Sequence, residues 1–205
     1  MQAAWPGVLA AALFANFAAA QSAPIDTPDS QRGPFSTAIF VGELFKTGLP
    51  NFVVAPWTLD LSPSYLVTAN FDYRVYKFPA IPLQFEAEFD VGKRFNGANQ
   101  WDFASAPVAR WMYFPWNKWV YTNFRLGMFG FSYATGISAW ERENSGNNKG
   151  ARFLQFLVGE FTFAAGENSR SEAFIGVHHR SGDYGLFDGV SGASNYLGCG
   201  FRVFW

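Results

Sequence analysis

Two stretches of the chain alternate apolar and polar residues without a break. In LQFEAEFDVG, residues 83–92, Leu83, Phe85, Ala87, Phe89 and Val91 share one parity, and Gln84, Glu86, Glu88 and Asp90 share the other. In VTANFDYRVY, residues 67–76, Val67, Ala69, Phe71, Tyr73 and Val75 oppose Thr68, Asn70, Asp72, Arg74 and Tyr76. A period of two is that of an extended strand with two unlike faces. Eight strands can be drawn this way, over about 37–46, 57–76, 83–95, 106–115, 119–133, 152–164, 172–181 and 195–205. The fourth is confined between Pro107 and Pro115. Alternate connections are short (KFPAIP, WNK, AGENSRS), and the others are longer or more polar (TGLPNFVVAP, NGANQWDFASAP, TGISAWERENSGNNKG, SGDYGLFDGVSGAS). This pattern predicts an all-β fold, an eight-stranded antiparallel barrel whose even strand number closes the sheet without edges.

The direction of the apolar face separates two kinds of barrel. In a secreted, water-soluble barrel of the lipocalin type that face lines the interior. In a transmembrane barrel it meets lipid, and the charged face lines the lumen. Glu86, Glu88 and Asp90 on one strand can pair across a polar lumen with Arg74, Arg125 or Arg202. Aromatic residues make up 20% of the chain, and many lie near strand ends, where interfacial girdles sit. Both features favour lipid outside, with the soluble barrel as the alternative. Beyond the N-terminus no run of 18 apolar residues occurs, so membrane-spanning helices are not expected. A net charge of −1 gives no broad field to attract nucleic acid. Eight strands leave an interior filled by side chains, which disfavours a wide channel.

The two ends carry addresses. Residues 1–20 are apolar and close on Ala18-Ala19-Ala20, which predicts a signal peptide. No Lys or Arg precedes the apolar core, and a buried or amphipathic helix is the other reading. Residues 21–36 read as a polar, Pro-containing periplasmic lead, leaving 37–205 for the barrel. At the C-terminus, Leu197, Cys199, Phe201 and Val203 alternate toward a final Trp205. This ending resembles the last strand of bacterial outer-membrane barrels. The resemblance implies a bacterial outer-membrane location and contact with the barrel assembly machinery through Trp205. The lone Cys199 excludes an internal disulfide framework and reads as a small hydrophobe. The run WERENSGNNKG reads as a solvated loop.

Both histidines lie in GVHHRSGDYG, residues 176–185. On the seventh strand Ala173, Ile175 and Val177 form the apolar face, and the same parity continues into His179 and Ser181. Same-face neighbours on a strand are roughly 6–7 Å apart between Cα atoms, close enough for an imidazole nitrogen to reach a hydroxyl. His178 falls on the other parity and reads as a lumen residue. On the last strand Asn195 precedes Leu197 on the apolar parity, and an antiparallel hairpin brings it beside His179 or Ser181. A polar cluster aimed at lipid costs free energy unless it lies at the interface or has a function. A strand end at headgroup level is the bland reading of His179 and Ser181.

The His-x-Ser motif at 179–181, with a polar residue on the following strand, resembles the outer-membrane lipid A 3-O-deacylase family of eight-stranded barrels. The resemblance covers the C-terminal hairpin and the barrel pattern. It implies an esterase acting on lipid A or lipopolysaccharide from the lipid-facing wall, with no cofactor and no metal. Ser181 would be the nucleophile, His179 the general base and Asn195 the group that orients the imidazole. Where Asn-Ala often follows the serine, this chain has Gly182-Asp183. The backbone N–H near Gly182 is then a candidate oxyanion donor, and Asp183 or Asp188 an alternative acid. A non-enzymatic small outer-membrane barrel with a structural, adhesive or interaction role is the second reading.

Overall fold

The computed structural model describes residues 32–96, 99–145 and 147–205; the predicted signal peptide and most of the predicted lead lie outside these residues. Eight antiparallel strands form one closed barrel in chain order. They are β1 (Phe35–Phe45), β2 (Leu61–Lys77), β3 (Leu83–Phe95), β4 (Trp101–Trp111), β5 (Tyr121–Ala134), β6 (Phe153–Ala164), β7 (Ser171–Ser181) and β8 (Ala193–Phe204). β8 returns to β1, from Ser36↔Phe204 to Phe45↔Asn195. Connections 78–82, 112–120 and 165–170 lie at one end, the turn end. Connections 46–60, 96–100, 135–152 and 182–192 lie at the other, the loop end, and carry the short helices α1 (Leu49–Val54) and α2 (Ala139–Glu143).

The alternation sorts the side chains as a membrane barrel requires. Phe85, Phe89, Phe201 and Val203 stand on the outer wall, each 42–54% exposed, whereas Glu86 and Asp90 are each 4% exposed. The reading with the apolar face inside a soluble barrel is thereby excluded: the chain is an outer-membrane-type transmembrane β-barrel. Its lumen is packed rather than open. Arg125 is fully buried and bonds Asp72, Glu86, Glu88 and Glu160. Arg202 bonds Asp72, Glu160 and Glu172. Arg110, which the strand pattern did not nominate, bonds Glu86 and Glu172. Above this charged layer, Ala38, Phe40, Leu44, Leu66, Phe174 and Tyr196 pack together. His178 joins them, its ring stacked on Phe40 with centroids 4.2 Å apart.

Three expectations need correction. First, β1 starts at Phe35, so the lead does not extend to residue 36. Arg32 is already anchored, donating to the Ser169 carbonyl at 2.8 Å and pairing with Glu172 at 3.3 Å. Second, β4 spans Trp101–Trp111 instead of 106–115, and the stretch read as the second long loop is mostly strand. Pro107 does not bound the strand. It sits where the β4–β5 register shifts between Ser105 and Val108, and a bulge tolerates a residue without an N–H. Third, WERENSGNNKG is not simply solvated. Ser138 caps α2, and Glu141 of that helix is fully buried in the lumen.

Glu141 closes the loop end from inside. Its carboxylate pairs with Arg94 at 3.1 Å and Arg180 at 2.6 Å, and accepts the Ser194 hydroxyl at 2.9 Å. Burial favours its neutral form, but Arg94 and Arg180 outweigh burial and hold its carboxyl below the usual range. Arg180 also donates to Ser132 at 2.9 Å and to the Ala151 and Arg152 carbonyls. Arg180 and Ser194 face each other across β7 and β8. One inward neighbour of His179, Arg180, and one of Asn195, Ser194, are therefore fixed to the same carboxylate.

The turn end is closed by the last residue. Trp205 N–H donates to the Phe35 carbonyl at 2.9 Å, Phe35 N–H donates to the Trp205 carbonyl at 3.2 Å, and the two rings stack with centroids 5.1 Å apart. Deleting Trp205 removes this final rung of the β1–β8 seam. A smaller folded fraction is expected, read as the heat-modifiable band of membrane-extracted protein; an unchanged fraction would contradict the closing role.

Candidate functional site

His179, Ser181 and Asn195 share the outward parity of β7 and β8 near the loop end, as their sequence positions predict. His179 and Asn195 are Cα partners across the strand pair, and Ser181 faces Ala193. The His179 Nδ1 lies 2.5 Å from the Asn195 Oδ1. An amide oxygen accepts only, so this contact makes Nδ1 the protonated nitrogen and leaves Nε2 with its lone pair. That is the tautomer a general base toward Ser181 needs.

Asn195 is itself held. Its amide donates to the Thr47 carbonyl at 3.3 Å. Thr47 belongs to the first loop, whose α1 lays Phe52 on Phe45 with ring centroids 5.0 Å apart. The loop covers the end of β1, and Asn195 is only 4% exposed although it lies on the outer parity.

The Ser181 hydroxyl is not bonded to His179. It donates to the Gln155 Oε1 at 3.3 Å. Gln155 is the Cα partner of Ser181 across β6 and β7, and β6 directs it outward with Phe153 and Leu157. Sequence reading missed this residue. Its signal was a glutamine on the apolar parity of β6, between Phe153 and Leu157. Glu43 was missed in the same way: β1 carries it on the outward parity with Val41, opposite Leu197 and two residue pairs from Phe45↔Asn195, with Leu44↔Tyr196 between.

Gly182 does not serve as the free oxyanion donor. Its N–H is committed to the Gly192 carbonyl at 3.2 Å. The glycine is needed for packing, because a Cβ there would lie 1.9 Å from the Val190 carbonyl oxygen. The Asp183 N–H reaches back to the Ser181 Oγ at 3.4 Å. The Asp183 and Asp188 side chains are exposed in the last loop, and Asn195 holds the imidazole instead of either.

The polar group is an island rather than the edge of the wall. Toward the turn end it is bordered by Leu157, Val177 and Leu197. Toward the loop end the wall becomes apolar again. Phe153 is 51% exposed and stacks on Phe131 with centroids 5.5 Å apart, and Phe187 of the last loop packs on both rings. A cleft of about 520 Å³ opens there, lined by Ile137, Arg152, Phe153, Leu186 and Phe187 among others.

No protein family model matches the chain, and no curated protein matches it. Among solved structures it is similar to Neisserial surface protein A, at 11% identity and a TM-score of 0.43, over 83% of this chain and 96% of that one. It is also similar to the N-terminal β-barrel domain of Pseudomonas aeruginosa OprF, at 10% identity and a TM-score of 0.44, over 85% and 100%. The Yersinia pestis outer membrane protein Ail in a phospholipid bilayer nanodisc is similar at 14% identity and a TM-score of 0.35, over 82% and 98%.

Proposed function

We propose that this barrel resides in the bacterial outer membrane and hydrolyses an ester-linked acyl chain of lipid A from its lipid-facing wall. The observation that carries the reading is the hydrogen-bonded His179–Asn195 pair, with Ser181 two residues on. All three lie on the outer wall, with Leu157, Val177 and Leu197 toward the turn end, where Glu43 of β1 sits opposite Leu197, and Phe153, Phe131 and Phe187 toward the loop end. Polar groups placed there cost free energy on the lipid side, and a catalytic use of them explains why they are kept. The Ser181 Oγ attacks the ester carbonyl, and its proton passes to the His179 Nε2. The tetrahedral intermediate collapses by breaking the bond to the sugar oxygen, which takes the proton back from His179. Water then cleaves the acyl-serine by the same relay. The cleft beside Phe153, which has Arg152 and Asp188 in its lining, offers the apolar faces of Ile137, Leu186 and Phe187 to an acyl chain. Trp205 is the end that the barrel assembly machinery would engage.

Asn195 stands where a carboxylate would stabilise the imidazolium. In purified barrel mixed with lipopolysaccharide micelles, fatty acid release should fall in Asn195→Ala and be kept or raised in Asn195→Asp. Equal release from all three proteins would remove Asn195 from the mechanism.

A second reading has its own observation. The Ser181 hydroxyl is bonded to Gln155 and not to His179. In a non-enzymatic barrel with a structural, adhesive or interaction role, the same cluster serves to satisfy polar groups near the interface. Absence of fatty acid release by the wild-type protein would favour that reading.

A further inference from the structure

We infer that Gln155 is a catalytic residue of this site, its side-chain amide donating to the oxyanion formed when Ser181 attacks. The inference rests on the esterase reading above. Gln155 faces Ser181 across β6 and β7 and accepts its hydroxyl at 3.3 Å through Oε1. Among the described residues its Nε2 has no protein hydrogen-bond partner, and its strand neighbours on the same face are Phe153 and Leu157. An unpaired amide N–H pair on an apolar wall is costly unless something polar meets it. The alternative donor is already in use, because the Gly182 N–H is bonded to the Gly192 carbonyl.

The two ends of a primary amide sit on one carbon, and the terminal torsion of glutamine is broad. Rotation about that bond exchanges an acceptor for two donors without moving the strand. In the resting site Oε1 holds the Ser181 hydroxyl. During attack the Ser181 proton goes to the His179 Nε2, the Oγ–carbon bond forms, and the carbonyl π pair moves onto oxygen beside the serine. Nε2–H of Gln155 donates to that oxygen. When the leaving sugar oxygen departs with the proton from His179, the carbonyl re-forms and the hydrogen bond weakens. The group acts on charge present only in the transition state, so it raises kcat more than it lowers KM.

Three full-length barrels decide it: wild type, Gln155→Met and Gln155→Glu, purified in detergent and given hexa-acylated lipopolysaccharide in mixed micelles. Methionine keeps the length without donors. Glutamate keeps an acceptor for Ser181 but brings no donor. Both variants should lose about 10²–10³-fold in kcat with KM close to wild type, and both should keep the heat-modifiable mobility of a folded barrel. Wild-type kcat in Gln155→Glu would show that the side chain only positions Ser181, and would overturn the inference. Wild-type kcat in both variants would overturn it as well. Failure of the esterase reading looks different: the wild-type barrel releases no fatty acid and Ser181 is not labelled by a fluorophosphonate, and the inference falls with it.

Discussion

Ser181→Ala is expected to reduce fatty acid release by at least about 10³-fold, because nucleophile and base act as a unit and losing either removes nearly the whole effect. The barrel should remain folded. The hydroxyl donates a partly exposed hydrogen bond of 3.3 Å to Gln155 and accepts an exposed one of 3.4 Å from the Asp183 N–H, and each such bond contributes about 1 kcal/mol or less. His179→Asn should cause a comparable loss, since the Nε2 that accepts the Ser181 proton is gone. His178→Asn is the internal control. Its ring is stacked on Phe40 inside the lumen, on the face opposite the site, so the rate should stay near wild type. Fatty acid released per folded barrel, measured for all four proteins in the same micelles, checks the set. Dependence on His178 rather than His179 would remove the assignment.

Arg125→Met should cause the largest loss of stability. The guanidinium reaches Asp72 at 2.5 Å and Glu86 and Glu88 at 2.8 Å, and also pairs with Glu160. Removing it leaves four carboxylates in a closed lumen with their shared cation gone. Deleting one partner of a buried pair costs about 3–5 kcal/mol, because the remaining charge stays desolvated. The urea midpoint of the folded band in detergent should fall by a corresponding amount. Adding Glu88→Gln to Arg125→Met should recover part of the loss, because Asp72 and Glu160 keep Arg202 and Glu86 keeps Arg110, whereas Glu88 pairs with Arg125 alone among the described residues. An unchanged midpoint in Arg125→Met would show that Arg110 and Arg202 neutralise the lumen without it.

Strands with one apolar and one charged parity were legible from the sequence. β3 is the clearest, because Phe85 and Phe89 against Glu86 and Asp90 leave only one arrangement with lipid outside. The same rule placed His178 in the lumen and His179, Ser181 and Asn195 on the wall. β4 was less legible because Pro107 reads as punctuation when no bulge is known, and bulges arise from pairing between strands rather than from local sequence. Arg110 escaped for the same reason, since its partners Glu86 and Glu172 meet only after the barrel closes. The role of Gly182 depended on a loop hydrogen bond to Gly192, which has no periodicity to read. Glu141 lay in a stretch whose composition suits a solvated loop. Only the fold shows that the helix carrying it turns inward to meet Arg94 and Arg180. Gln155 was within reach of the parity rule, which would have singled it out between Phe153 and Leu157.

The central claim is that Ser181 cleaves an acyl ester of lipid A from the outer wall. Lipid A should be extracted from cells producing equal amounts of folded wild-type and Ser181→Ala barrel, and weighed by mass spectrometry. The account predicts a species lighter by one acyl chain in the wild-type cells and none in the variant. Identical lipid A masses in the two would contradict it and leave a barrel without hydrolytic activity.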